Sequence, residues 1–504
     1  MSLLPLLILV VASFSSPALP VPVVPQEPTE IELRLEKAKK LLASSSEADA
    51  IAGAKICVEL NSVESARLLL EVLRLTADRG LPAPHYRDVC WASMRDLTDR
   101  YAQAIFAEEL ANKKSSALVR QWSAELLGLF ATTHFGPALV TALKDKDDDV
   151  RAAAARALGR IVYSGAQKDL NKQTKSKHML LRGNSIEALA LIDPVANRKA
   201  YDKGLKDKDA GVRCVLYGIA PLAYPEEAEA MSLAALDDED WRPRLQGLEN
   251  LSGMRTKSSV DALLMGLEDP RPSLVHRTIG FLQQLTHKPF SQADQWTRFW
   301  ADNRETFDFP EGAPHSMDKE EGTVAVSLFN GIRLESDHVA FLMDKSQHMQ
   351  QELVSRKMSK DSAAREELKG VLDAMQGRLV FNLFCYADRI RYFSEKGCVK
   401  LDKRAAANAM EFHRKAPISG RKDIWAALLA VMEDPELDTG YVLSSGEPDI
   451  GTYVHWERLT YQLKELNRYH KVVFHAIAYS ERMLDRNQLE KIAEATGGEF
   501  KWFE

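Results

Sequence analysis

Apolar residues recur every three or four positions from residue 30 to residue 307, in a background of Ala, Leu, Glu and Lys with few β-branched runs. That period gathers them on one helix face, so this half of the chain reads as helical throughout. Within it an arginine returns at a fixed step of 31 residues: Arg120, Arg151, Arg182, Arg213 and Arg244. Four positions after these come Ala124, Ala155, Ile186, Tyr217 and Leu248, and seven after come Leu127, Leu158, Leu189, Ala220 and Leu251. The columns predict one helical hairpin per repeat, with the arginine on the second helix and the apolar columns on its buried face. Asp147, Asp209 and Asp240 form one acidic column just before the arginine, and Asp145, Asp207 and Asp238 another. Acidic residues there are expected to cap the second helix and favour its dipole, with a small Asp-to-Arg pair at i, i+4. A further copy carries Arg277 after a short insertion. Residues 30–110 repeat less regularly and read as an extension or cap of the stack. Trp296, Phe299, Trp300 and Phe307 lie at helical spacing at its end and read as core.

After a polar stretch with two prolines and two glycines, residues 310–322, the period changes. Residues 324–329, 339–343, 379–386, 440–443, 472–479 and 499–503 read as strands. Residues 351–375, 403–413, 424–432, 457–467 and 486–496 read as helices. Alternating strands and helices predict a doubly wound α/β sheet. The expected layout is a segment 1–18 removed on export, a Pro-rich tether 19–29, an α-helical solenoid 30–309, a linker 310–322 and an α/β domain 323–504.

Composition narrows the function classes. A net charge of −6 over 504 residues lacks the basic excess of a dedicated nucleic-acid binder. With 45% hydrophobic and 27% charged residues, the chain reads as globular. Residues 3–12 are an apolar run of signal-peptide length followed by small residues with a cleavage site around Ser16–Ala18, although no Lys or Arg precedes the run. The run is too short to span a bilayer, which takes roughly 20 apolar residues. Secretion or periplasmic delivery is therefore expected, with an N-terminal anchor as the competing outcome. Cys57, Cys90, Cys214, Cys385 and Cys398 show no C-x-x-C spacing. They read as buried thiols, with Cys57–Cys90 or Cys385–Cys398 as the pairs available to oxidation.

Candidate chemistry sits at a strand end. The run VAFLMDKSQHM, residues 339–349, carries an apolar strand into Asp344, with Ser346 two positions on. Such a strand end is where an open α/β sheet builds its site. With SGRKDIWAALLAV around Lys422, GYVLSSGEP around Ser445 and the closing LEKIAEATGGEFKWF, this half resembles a von Willebrand factor A domain. The copies LKDKDDDVRAAAARALGRI and LKDKDAGVRCVLYGIA resemble HEAT repeats, a resemblance that implies a structural ladder between the turn Asp and the helix Arg of neighbouring repeats. In the first family the site reads D-x-S-x-S, then Thr, then Asp, around a metal ion. The resemblance places Asp344, Ser346 and His348 on the first motif, Lys422 at the Thr position and Ser445 at the second Asp. If any metal binds, Asp344 and Ser346 are its ligands. A hard dication such as Mg²⁺ needs several convergent oxygens and net negative charge, so no cofactor is expected, and Lys422 is expected to take the cation's place beside Asp344. Glu447 and Asp449 read as loop solvation, Asp423 as a helix cap, and His455, His470 and His475 as scattered surface or core histidines. No G-x-S-x-G elbow, Walker loop or HExxH occurs. The expectation is a non-enzymatic interaction protein that binds protein partners through a concave solenoid face and the top of the sheet around Asp344, Ser346, His348, Lys422 and Ser445. A Mg²⁺-dependent adhesion module, a cell-envelope enzyme with an unrecognised site, and a purely structural second domain are the alternatives.

Overall fold

The structure is a computed structural model that describes residues 29–44, 46–75, 86–312 and 327–504. The expected export segment, nearly all of the tether and most of the linker lie outside these residues.

Helices from Glu30–Leu42 to Tyr86–Met94 open the described chain, and Arg100–Ala111 is the first helix of the first pair that follows. Six helix pairs then stack, and their second helices are α1 (Ala117–Leu129), α2 (Asp148–Arg160), α3 (Met179–Ile192), α4 (Ala210–Ala223), α5 (Trp241–Met254) and α6 (Pro272–Thr286). The two predicted apolar columns are buried throughout, from Ala124 and Leu127 to Leu248 and Leu251. Asp147 caps α2 by accepting from the Asp149 and Val150 amides, and Asp209 caps α4 from Gly211 and Val212. Because these carboxylates face their own helix ends, the arginines turn to the next repeat. Arg182 forks onto Asp207 at 2.7 and 2.8 Å, Arg213 onto Asp238 at 2.7 and 2.6 Å, and Arg244 onto Asp269 at 2.7 and 3.1 Å. Arg120 does the same to Asp145 at 2.9 and 2.8 Å. The small i, i+4 pair thus gives way to a bidentate bond 25 residues on, the Asp–Arg ladder between neighbouring repeats that the HEAT resemblance implies. Arg151 is the exception, because Ser176 stands where its aspartate belongs; it turns back to Asp148. The stack closes with Ala293–Asn303, where Trp296 and Trp300 are buried.

The second half is a twisted sheet of β1 (His338–Asp344), β2 (Val380–Tyr386), β3 (Ile390–Tyr392), β4 (Thr439–Ser444), β5 (Val473–Tyr479) and β6 (Phe500–Phe503). In space these strands lie in the order β3-β2-β1-β4-β5-β6, parallel except for β3 and a two-residue strand Val399–Lys400, both antiparallel to β2. Those two short strands gave no readable alternation. Helices α7 (Lys360–Ala374) and α8 (Lys403–Lys415) pack with Phe341, Met343 and Leu383 on one face of the sheet. Helices α9 (Ile424–Met432), α10 (Trp456–His470) and α11 (Met483–Thr496) pack with Ala340, Leu342 and Phe384 on the other. The helix expected from residue 351 starts only at Lys360; a small hairpin, Glu352–Leu353 with Met358–Ser359, precedes it, turning on Lys357 at φ 54°. Ser359 then caps α7 by accepting from the Ser362 amide.

The apolar core on the α9–α11 face runs without a break into the solenoid core, joined through Trp91, Trp122, Tyr453 and Trp456. All five cysteines are free thiols, and burial pushes the Cys57, Cys90, Cys214 and Cys385 thiols up to about 12. Among the described residues no helix is long and apolar enough to cross a membrane.

Candidate functional site

The chain leaves β1 toward one edge of the sheet and leaves β4 toward the other, so the crevice between their carboxyl ends is the topological switch point where such sheets bind ligands. Asp344 ends β1 there, fully buried. Its Oδ1 accepts from the Ser346 amide at 2.6 Å, and its Oδ2 accepts from the Ser445 amide at 2.9 Å and the Ser445 hydroxyl at 2.6 Å. The Ser346 and Ser445 hydroxyls lie 3.3 Å apart. Three of the five residues expected at the site therefore converge, from two motifs 99 residues apart.

The other two do not join them in the expected way. His348 sits on the short helix Gln347–Gln350 and is exposed at the rim. Lys422 is buried, on a loop tied to the end of β1 by Ser419 N to Lys345 O at 2.9 Å and Gln347 N to Gly420 O at 3.3 Å. Its partner is Asp449 rather than Asp344: Lys422 N and Nζ donate to Asp449 Oδ2 at 3.1 and 3.2 Å. Asp449, expected to be loop solvation, is thus the counter-ion, and it lies close enough to spare Asp344 the role. Glu447 pairs with Arg482 at 3.4 Å. Asp423 caps α9 through the Ala426 amide, as expected, and its burial raises its pKa.

Sequence reasoning missed two buried lysines. Lys360 lies in the first turn of α7, with its Nζ 3.3 Å from Gln351 Oε1; burial lowers its pKa, while Glu481 and Asp344 act in the opposite sense. Lys345, one residue past Asp344, points to the other side and meets Asp361 at 2.6 Å and His413 Nδ1 at 3.3 Å. Nothing in the sequence marks Lys360 as buried, because the hairpin that delays the start of its helix leaves no readable pattern. The strand alternation that puts Asp344 on one face does put Lys345 on the other. His455, His470 and His475 stay apart: at the start of α10, at its end, and on β5 stacked 4.8 Å from Tyr441.

The second candidate surface is the row of second helices, and much of it is already occupied. Helix α10 lies across it. Arg458 meets Glu125 of α1, Arg156 and Arg160 of α2 meet Glu465, Arg468 meets Glu187 of α3, and Lys471 meets Glu249 of α5. Gly183 and Gly211 let the backbones close up: a Cβ at Gly183 would fall 2.7 Å from the Tyr469 hydroxyl, and one at Gly211 would fall 2.9 Å from the Tyr469 carbonyl. Further contacts extend the seam at both ends. Asp88 accepts from the Val454 and His455 amides, and Arg271 and Ser273 bind Asp438 at 3.2 and 2.7 Å. Burial raises the Glu187 carboxyl, but Arg468 and Arg156 override it and hold it below the usual range. The sequence expectation of an open solenoid face is narrowed accordingly.

A family model described as HEAT repeats matches residues 104–190 and 136–213. Residues 104–213 are HEAT repeats. The match falls on the Arg–Asp stack and stops short of the sheet. No curated protein matches the chain. Among solved structures, the chain is similar to a von Willebrand factor type A protein from Catenulispora acidiphila, at 17% identity over 34% of this chain and 40% of that one, with a TM-score of 0.28. It is also similar to the CpcE–CpcF phycocyanin lyase complex from Nostoc, at 17% identity over 57% and 99% of the two chains and a TM-score of 0.28. Human deoxyhypusine hydroxylase shares 15% identity over 50% and 96%, with a TM-score of 0.23.

Proposed function

We propose that the chain is a non-enzymatic interaction and scaffold protein, exported from the cytoplasm, whose HEAT solenoid carries a sheet domain that meets its protein partner without a bound metal. The observation that carries this reading is the state of Asp344. Its two oxygens already accept three hydrogen bonds from Ser346 and Ser445. A magnesium ion needs about six oxygens in a near-octahedral shell and surrenders its waters reluctantly. The crevice offers one satisfied carboxylate and two hydroxyls, with the Lys422 ammonium buried on the overlying loop. These residues do not fit a hard dication. They suit a partner group that accepts hydrogen bonds, since the rim imidazole of His348 and the nearby lysines are donors.

Calorimetric titration of the full chain with Mg²⁺, Ca²⁺ and Mn²⁺ tests the reading. The expected result is no saturable binding up to millimolar ion. Saturable binding that disappears in Asp344→Ala would restore a metal-dependent adhesion site and overturn the proposal.

A further inference from the structure

Helix α10 does not cover the whole row of second helices. Beside its carboxyl end lies a groove of about 660 Å³, walled by α2, α3, α4 and α5 on one side and by Arg468 and Lys471 on the other. That volume is in the range of specific binding pockets, roughly 300–1,000 Å³. Its floor is apolar, formed by residues such as Val215 and Ile219, and two large apolar side chains stand open to solvent at its lip: Leu222, 74% exposed, and Val162, 52% exposed. Isolated exposed apolar residues need no explanation, but two lining one concavity mark a binding surface.

Two observations say what the groove accepts. The first is charge. The ion-pair network along it joins five cations, Arg156, Arg160, Arg277, Arg468 and Lys471, to three carboxylates, Glu187, Glu249 and Glu465. The excess of two positive charges sits beside an apolar floor. The second is continuity. The groove shares Arg156, Arg160, Glu187 and Glu249 with the seam that holds α10, so the same face already receives one amphipathic helix end to end. We propose that the groove docks an acidic amphipathic helix of a partner protein, its apolar face on Val162, Ile219 and Leu222 and its carboxylates against the cationic wall. This rests on the reading of the chain as an interaction protein and names the chemistry of one of its partners.

The probe is a synthetic fluorescein-labelled peptide, an amphipathic helix with leucines at i, i+3, i+4 and i+7 and glutamates on both flanks, titrated with the full chain by fluorescence anisotropy. Saturable binding is expected. It should weaken at least tenfold in Leu222→Glu, at least tenfold for the same peptide with lysines in place of the glutamates, and severalfold when salt rises from low to physiological strength. Leu222 is exposed, so its variant should melt with the wild type, and Val162→Glu gives an independent second reading. Absence of binding, binding indifferent to Leu222→Glu, or equal affinity for the lysine peptide would overturn the proposal. So would self-association of the chain that Leu222→Glu abolishes, since the occupant would then be a second copy. Failure here leaves the metal titration of the sheet crevice untouched, so the two readings fail separately.

Discussion

Two arginine systems hold this molecule, one running along the repeats and one crossing between its halves. They differ in what stands behind the guanidinium. In the ladder, every arginine except Arg151 forks onto the aspartate 25 residues on and also donates to a carbonyl of its own turn, as Arg213 does to Asp207 O at 2.8 Å. In the seam, Arg458 makes one hydrogen bond, to Glu125 at 2.6 Å, and its Nε and Nη1 find no acceptor among the described residues. Aromatic faces take the acceptors' place: Trp91 at 3.8 Å, Tyr453 at 5.1 Å, Trp122 at 5.2 Å and Tyr461 at 5.6 Å from the guanidinium carbon. The ladder spreads its strength over repeated bonds at a partly wetted edge. Among its several ion pairs the seam places one cation, Arg458, with no exposure to water. Directional bonds set the spacing of repeats, whereas the ring cage fixes one point where two folds meet.

That contrast is most sharply tested by removing each arginine. Arg458→Ala leaves Glu125 buried without its charge partner and empties a cage of four rings, so it should cost about 3–5 kcal/mol in denaturant unfolding of the full chain. Arg213→Ala breaks one fork whose aspartate can reach water, and should cost about 1.5–3 kcal/mol. Replacing both Arg458 and Glu125 by Met should recover part of the larger loss, because no orphan charge remains. An Arg213→Ala loss greater than that of Arg458→Ala would reverse the comparison.

The ladder was legible in the chain because it is periodic: a 31-residue step names its own partners once the fold brings neighbouring repeats together. The sheet was legible too, down to the strand end at Asp344 and the convergence of Ser346 with Ser445. The seam was not. Arg458, Gln462, Glu465 and Tyr469 recur at helical spacing, which on any single helix reads as a solvated face. Only the facing row of Glu125, Arg156, Glu187 and Glu249 turns that polar face into an interface. The same blindness hid Asp449: a carboxylate in a polar loop has no sequence signal that it will be the counter-ion of Lys422. Periodicity reveals contacts within an element or between copies of it, whereas contacts between unlike elements leave no periodic mark, and Ser346 with Ser445 was legible only through the motif resemblance.

Acid separates the two halves by a smaller amount. Burial holds His413 neutral, with its pKa lowered to about 3, and lowers that of His475 to about 4. In the unfolded chain both take up a proton below the ordinary histidine value of about 6.5, so the unfolded state binds more protons and stability falls as pH falls through that value and on toward the folded pKa of each. At pH 5.5 the two together should cost about 3 kcal/mol relative to pH 7.5. Both lie in the sheet domain, and His470 at the end of α10, lowered to about 4 by burial, acts in the same direction. Asp145 and Asp207 stay ionised in this window, because Arg120 and Arg182 outweigh their burial and hold them below the usual carboxylate range. Hydrogen exchange at pH 5.5 should therefore show protection lost first on β5 and α8 and last on α1 to α5. Loss beginning in the solenoid would place the acid-labile groups on the wrong side of the seam.

The finest test repairs the ladder where the chain interrupts it. Arg151 has Ser176 at the position that Asp207, Asp238 and Asp269 hold for the later arginines. The Ser176 hydroxyl already accepts from the His178 amide at 3.1 Å, the same turn bond that Asp207 makes with the Asp209 amide at 2.9 Å. Ser176→Asp keeps that bond and supplies the missing fork acceptor, drawing Arg151 away from its exposed local partner Asp148. A partly exposed ion pair gains about 0.5–1 kcal/mol, read as a rise in the denaturant midpoint at unchanged slope. Arg151→Ala should then cost more in the Ser176→Asp background than in the wild type. Equal costs in the two backgrounds would mean that the new carboxylate never reaches Arg151, and that the interruption at residue 176 reflects a different packing of α2 against α3 rather than one missing side chain.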